Sequence, residues 1–376
     1  ETGKMEDKRN LKNAEIDKSL LASVEKNIES NKRIIQYYRK FKNESSIVFK
    51  KDNIENKIEH IKFCNKLWVM NKYESFKVKD FIKTSLCRDK FCSNCKKVMQ
   101  AGRMVRYIPE LNIYKKNMYH LILTVPNVSG NELRFTIKKM NRAFRSIIKL
   151  FNGSKKIKGI DFSNFSYLGA VRSLEVTFKG DNYHPHFHVA IVLENFKESK
   201  KKYINDFSFS YGNFNTFFSS EEILIQKLFY LYYNNIKVTK EKIDNLNQGY
   251  SCKLLKFKEE DYAELFKYMC KNTDEDGKIL KYENFSCLYY SLYKVKQIQG
   301  YGCLYNIKSE EDLTSCENEY EKLIEFLNQS ESPERDINKV KDLINETEYK
   351  LISRKTFFKY LKEDDEIDKT FSNENN

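Results

Sequence analysis

The segment Tyr183-His184-Pro185-His186-Phe187-His188-Val189 holds three of the five histidines in the chain. In a β-strand, residues i and i+2 face the same side. His186 and His188 can therefore present two imidazoles to one ion while Phe187 turns toward a core. Gly180-Asp181-Asn182 just upstream reads as a tight turn, and antiparallel pairing about it sets Glu175 across from His186 on the same face. Two imidazoles and a carboxylate leave coordination positions open for phosphate oxygens, as a Lewis-acid site requires. Mg²⁺ or Mn²⁺ suits such a mixed set once a substrate phosphate completes the shell. His184 shares the parity, but Pro185 is expected to disturb the strand there, which ranks His184 behind the ligands as a supporting or DNA-contacting residue. The competing account is three surface histidines on an edge strand, and the low strand preference of histidine speaks against it. Metallo-β-lactamase-like and cupin sites fit less well, since no Asp-His continuation follows and no histidine lies downstream of His188.

A metal that polarises a phosphodiester needs a nucleophile, and no Ser, Cys or His triad is apparent. Glu264-Leu265-Phe266-Lys267-Tyr268-Met269-Cys270-Lys271 offers one. On a helix, Glu264, Tyr268 and Lys271 fall on one face. The Tyr268 phenol would be activated by a polarised phosphate and by the neighbouring Lys271 cation, with Glu264 positioned to take a proton or activate water in a second step. Among 25 tyrosines the pattern is common by itself, so its weight comes from the histidines.

Cys87-x4-Cys92-x2-Cys95 ends in a knuckle-like spacing, with Cys64 upstream. Four thiolates would close a tetrahedral Zn²⁺ site, the alternative being ordinary core and surface thiols. Arg88, Lys90, Lys96, Lys97, Arg103 and Arg106 surround the cluster and could contact phosphates.

The elements that would position these groups can be read from periodicity. Tyr119–Val125 is β-rich and stops at Pro126-Asn127. Leu133, Ile137, Met140, Phe144, Ile147 and Phe151 recur at helical spacing beside a basic stripe of Arg134, Lys138, Arg142, Arg145 and Lys149. Gly169–Phe178 and His186–Leu193 read as a hairpin. Ser219-Ser220-Glu221-Glu222 opens a helix to about Tyr233 as a capping box. Glu259–Lys271 reads as a further helix and Tyr289–Ile307 as partly extended. Residues 1–62 suggest a weakly patterned helical arm, and Ser332-Pro333-Glu334 a helix start near the end. Helices mixed with hairpin-connected strands predict an α+β fold with an antiparallel sheet.

Lys and Arg total 67 against 53 Asp and Glu, a net charge of +14. Residues 309–376 hold 19 acidic and 10 basic side chains, which leaves about +23 on residues 1–308. Such a field concentrates polyanions, and nucleic acid is the leading partner class, against the alternative of a merely Lys-rich solvated surface. No run reaches the roughly 18–20 apolar residues of a membrane span. An odd cysteine count and no visible leader point to a reducing cytosol rather than a disulfide scaffold.

In order along the chain, Leu121-Ile122-Leu123-Thr124-Val125-Pro126-Asn127, His184-Pro185-His186-Phe187-His188-Val189, and Glu264 with Tyr268 and Lys271 resemble the three motifs of HUH-superfamily rolling-circle replication initiators. The chain looks most like the plasmid Rep proteins with a single catalytic tyrosine, over roughly Cys64 to Ile307. Relaxases resemble it less, because their tyrosine precedes the histidines. Paired-tyrosine transposases also resemble it less, since Asn272 stands where a second tyrosine would be. The resemblance implies an HUH endonuclease core with the HUH strand central in its sheet. Tyr268 would form a 5′-phosphotyrosine at a single-stranded or hairpin origin, freeing a 3′-OH that primes host polymerase. Glu175, His186 and His188 would hold Mg²⁺ or Mn²⁺, and Glu264 would let water end the cycle. Similar initiators carry a cysteine segment before the first motif, which supports Zn²⁺ on Cys64, Cys87, Cys92 and Cys95, although Ser93 replaces a common proline. The implied organisation is a helical arm (1–62), a zinc module (63–110), the endonuclease domain (111–308) and an acidic helical tail (309–376). The expected location is the bacterial cytoplasm, with host helicase and polymerase as partners. Two alternatives stay open: a zinc-dependent DNA-binding regulator without nuclease activity, and a mobile-element transposase using the same chemistry.

Overall fold

The computed structural model describes residues 29–44, 51–64, 68–73, 78–84, 86–203, 208–209, 217–267, 272–305, 307 and 350–352. In chain order these form α1 (residues 29–44), α2 (Lys51–Phe63), β1 (Trp68–Tyr73), β2 (Val78–Thr84), α3 (Ser93–Asn112), β3 (Met118–Thr124), α4 (Gly130–Phe151), β4 (Tyr167–Lys179) and β5 (Asn182–Leu193). There follow the two-residue strands β6 (Lys202–Tyr203), β7 (Ser208–Phe209) and β8 (Phe217–Phe218), then α5 (Ser220–Tyr233), α6 (Lys240–Asn245), β9 (Gln248–Gly249), β10 (Cys252–Lys256), α7 (Asp261–Leu265), α8 (Tyr282–Ser291), β11 (Ile298–Gly302) and β12 (Lys350–Ile352). The chain divides into two compact units, residues 1–96 with 311–376, and residues 97–310. In the first, β1, β2 and β12 form a three-stranded sheet in which β12 runs parallel to β2.

The second unit is built on a five-stranded antiparallel sheet of order β10-β3-β5-β4-β11, which makes the fold α+β with helices on both faces. The histidine strand β5 is central. Its hairpin with β4 turns at Gly180-Asp181, where Gly180 takes the left-handed φ of 58° that a side chain would resist. With Lys179 opposite Asn182, register along the whole hairpin follows.

Alternation then assigns the faces. Val171, Ala190 and Val192 point to one side and pack with Tyr107 and Leu111 of α3 and with Tyr262, Leu265 and Phe266 in and beside α7. Phe187 points to the other side, where Phe144 of α4 meets its ring edge-on at 5.8 Å and meets Tyr301 of β11 at 5.4 Å. The apolar stripe expected for α4 is buried as read, from Leu133 to Phe151. α5 opens with the expected capping box: Ser219 Oγ accepts from the Glu222 N–H and the Glu222 carboxylate accepts from the Ser219 N–H.

Three expectations change. Among the described residues, the helix read over Glu259–Lys271 is α7, Asp261–Leu265, with Phe266 and Lys267 beyond its end. Leu265 and Phe266 are driven fully into the core, and the Lys267 carbonyl accepts from Gln297 Nε2 at 2.8 Å. The stretch Tyr289–Ile307 begins inside α8 and is extended only at β11. Pro185 does not disturb β5: it pairs with Val176, and because β3 ends at Thr124, opposite His186, no neighbouring strand requires the missing N–H. The helix starts read near residue 332 and over residues 1–28 lie outside the described residues.

Candidate active site

Glu175 pairs with His186 across the β4–β5 hairpin, as the two-residue turn requires, and His188 follows on the same face. Glu175 Oε2 lies 3.2 Å from His186 Nε2 and 3.5 Å from His188 Nε2. All three side chains are largely buried, and their candidate ligand atoms fall within 4.8 Å of one another. His184 stands apart from this group, its Nδ1 2.7 Å from Asn127 Oδ1. Burial pushes the His184 pKa down, with His186 adding to the shift.

The ring orientations indicate what the group is built to hold. His186 Nδ1 faces the His184 carbonyl at 3.2 Å, which can only accept, so that nitrogen carries the proton and Nε2 carries a lone pair. A chain through His120 does the same for His188. Asp261 Oδ1 lies 2.9 Å from His120 Nδ1, and His120 Nε2 lies 3.1 Å from His188 Nδ1. If the carboxylate accepts from His120 Nδ1–H, His120 Nε2 accepts from His188 Nδ1–H, and His188 Nε2 is left with its lone pair. His188 Nε2 and Glu175 Oε1 are both buried without a hydrogen-bond partner. With these tautomers the two imidazole lone pairs and the carboxylate converge, and the group fits a divalent ion.

Two further groups stand at the rim. Glu264 Oε2 is 4.0 Å from His188 Nε2 and forms an ion pair with Lys267 Nζ at 2.8 Å. Lys267 also lies 3.8 Å from Glu175 Oε1. Burial lowers the Lys267 pKa, but the two carboxylates outweigh it and hold the ammonium above its ordinary value. Of the sequence-derived candidates, Glu175, His186, His188 and Glu264 thus come together. Tyr268 and Lys271 lie outside the described residues.

The sequence reading passed over three residues at this site. His120 is, like the residues of the Tyr183–Val189 segment, a histidine in a β-rich run. Lys267 is three residues beyond Glu264 and one helical turn before Lys271. Asp261, at the start of α7, gives no sign in the sequence of pairing with a strand residue 141 positions away.

In the first unit Cys64, Cys87, Cys92 and Cys95 converge as a second group able to hold a metal. Cys64 Sγ lies 3.5 Å from both Cys92 Sγ and Cys95 Sγ, and Cys87 Sγ lies 3.5 Å from Cys95 Sγ. Tetrahedral Zn–S bonds of about 2.3 Å imply S···S edges of about 3.8 Å, close to this spacing. The four thiols are free rather than paired in disulfides. The loop between them is pinned. Arg88 takes a left-handed φ of 52° and its N–H donates to Cys95 Sγ at 3.2 Å. Buried Asp89 accepts from Tyr38 Oη at 2.6 Å and from the Phe91 N–H at 2.8 Å. Burial pushes the Cys87 thiol up, the direction a bound cation would reverse.

Comparison with known proteins extends this picture. A family model described as replication protein matches residues 78–350. The chain is 31 % identical over 157 residues to a Protein rep of Staphylococcus aureus, covering 40 % of this chain and 63 % of that relative. It is 28 % identical over 180 residues to a Protein rep of Lentilactobacillus hilgardii, covering 42 % and 54 %. To a Protein rep of Bacillus sp it is 32 % identical over 115 residues, covering 28 % and 34 %. The chain thus spans less than two thirds of the length of these curated relatives. No solved structure matches it. Because the family match runs through most of the chain and takes in the whole Glu175, His186 and His188 group, the chain belongs to the replication protein family.

Proposed function

We propose that the chain initiates plasmid rolling-circle replication as a metal-dependent HUH endonuclease, nicking a single-stranded or hairpin origin. The observation that carries this reading is the buried convergence of Glu175, His186 and His188, with His188 Nε2 and Glu175 Oε1 left without a hydrogen-bond partner, beside the Glu264–Lys267 pair. Glu175, His186 and His188 would hold Mg²⁺ or Mn²⁺, which when bound would supply Lewis-acid charge to the scissile phosphate. The phenol oxygen of Tyr268 attacks phosphorus, the bond to the 3′ oxygen breaks, and the proton lost by the phenol is made up on that oxygen as a 3′-OH. Lys271 favours the phenolate. The 5′-phosphotyrosine is resolved by a strand's 3′-OH, or by water that gives a proton to Glu264. Either way the bond from phosphorus to the Tyr268 oxygen breaks and the phenol leaves reprotonated, with Lys267 holding the Glu264 carboxylate in place. Cys64, Cys87, Cys92 and Cys95 hold a structural Zn²⁺ in a module of residues 63–110, ahead of an endonuclease domain of residues 111–308. The arm of residues 1–62 and the acidic tail of residues 309–376 complete the organisation, and host helicase and polymerase act on the nicked product.

The test is to incubate the chain with Mn²⁺ and labelled single-stranded oligonucleotides tiling the DNA around its gene, and to look for an SDS-resistant adduct. We expect an adduct with the wild type that Tyr268→Phe abolishes. Tight binding with no adduct on any oligonucleotide would instead favour a DNA-binding regulator. The same chemistry at the ends of a mobile element would favour a transposase.

A further inference from the structure

The basic stripe on α4 is not used by the chemistry above, and it forms one wall of a cavity of about 630 Å³ on the opposite face of the sheet. Arg134, Lys138, Arg142 and Arg145 line it from α4, while Lys294 and Lys296 line it from the segment between α8 and β11. No carboxylate is among its lining residues. The wall is not a scatter of solvated lysines, because its floor is a buried guanidinium. Arg172 of β4 is 1 % exposed and lies 4.7 Å above the Phe187 ring. Its Nη2 donates to the Lys296 carbonyl at 3.3 Å and to Gln299 Oε1 at 3.4 Å, both long contacts. Its Nε and Nη1 are buried with no hydrogen-bond partner. Burial lowers its pKa, and the nearby Tyr301 phenol only partly offsets that.

A buried cation with open donors, ringed by seven more cations, lacks an anion with several acceptor oxygens. Phosphate supplies this chemistry. The cavity also presents an aromatic surface: Phe135 is 62 % exposed on its lining, with Lys139 Nζ 4.7 Å over its ring. Cations that track a backbone, alternating with an exposed ring on which bases stack, make a single-strand platform rather than a duplex one. Arg172 and Phe187 alternate with Ser173, His186 and His188 along paired strands, so the cavity and the candidate metal group lie on opposite faces of one sheet.

We infer that this cavity is a second, metal-independent binding site for single-stranded DNA, with Arg172 receiving one backbone phosphate. It rests on the proposed function only in taking single-stranded DNA as the ligand. The site would hold a strand on one face of the sheet while the phosphodiester to be cut lies on the other.

The test is fluorescence anisotropy of a labelled single-stranded oligonucleotide with the full chain, without added Mg²⁺ or Mn²⁺, across a salt series. Lys138→Glu with Arg142→Glu alters two exposed residues and should leave the fold and the Mn²⁺ affinity unchanged. Affinity should fall tenfold or more, and the slope of log affinity against log salt should become shallower by about 1.4, at about 0.7 per lost phosphate contact. Phe135→Ala should weaken binding with little change in slope, and Arg172→Met should weaken it if the variant folds. Unchanged affinity and slope in the double variant would overturn the inference and leave the cavity to an acidic polypeptide. Displacement by thymidine monophosphate as effective as by the oligonucleotide would also overturn it, in favour of a mononucleotide site. Adduct formation is measured separately. Weakened binding in the double variant alongside a wild type that never forms an adduct would therefore defeat the nicking reading alone.

Discussion

His188 reaches the candidate metal site with its tautomer already chosen by His120 and Asp261. The His120 ring is buried, and burial is the main cause holding its pKa down despite the adjacent Asp261 carboxylate. A neutral ring whose Nδ1–H is committed to Asp261 can only accept through Nε2, and this turns His188 Nδ1 into the donor. His120→Ala should therefore lower Mn²⁺ affinity by about 10–100-fold, the usual cost of losing such a support, while His120→Gln should restore part of it through its amide oxygen. Calorimetric titration with Mn²⁺ reads this directly, and wild-type affinity in His120→Ala would mean that His188 is oriented by something else. The three ligands were legible in the sequence because a two-residue turn fixes their register locally. His120 was not, because its place depends on β3 pairing with β5, a contact no spacing along the chain encodes. Lys267 was passed over because the face was drawn on one continuous helix, whereas α7 ends at Leu265.

At the scale of elements, the capping box does more than start α5. Glu222 is 1 % exposed, and besides the Ser219 N–H it accepts from the Leu254 N–H of β10 at 2.7 Å and from Lys201 Nζ at 3.0 Å. It thus ties α5 to the edge strand that flanks β3, and β3 carries His120. Glu222→Ala would leave buried donors and a cation without their acceptor. It should cost about 3 kcal/mol in a urea unfolding curve, well above the roughly 1 kcal/mol of an ordinary cap. A loss near 1 kcal/mol would reduce Glu222 to a simple cap. The box was readable as a helix start because its residues are adjacent, but its grip on β10 was not, since Leu254 is 32 positions away. The stripe on α4 was readable for the opposite reason: one long helix repeats its pattern often enough to mark the buried face. α7 has five residues and no such redundancy, and the burial of Leu265 and Phe266 decided its end.

Across the whole molecule, charge and metal are distributed unevenly. The net charge of +14 combines about +23 on residues 1–308 with −9 on residues 309–376, a division visible in the sequence. The pairing of β12, from within the acidic stretch, with β2 was not visible, since a parallel strand more than 260 residues distant leaves no local mark. The described apolar core of the first unit is small: Ile34, Tyr38 and Phe41 of α1, Ile54, Ile58, Ile61 and Phe63 of α2, and Phe91 beside the cysteines. A unit of this kind gains much of its folding free energy from its metal, on the order of 10 kcal/mol for Zn²⁺ held by four ligands. The candidate site on β4 and β5 shares none of those ligands. Cys92→Ser should therefore abolish one equivalent of bound zinc and open residues 29–96 to limited proteolysis, while residues 97–310 stay resistant and titrate Mn²⁺ with wild-type affinity. If protease resistance of residues 29–96 survives the loss of zinc, the four thiols are core packing rather than a structural metal centre.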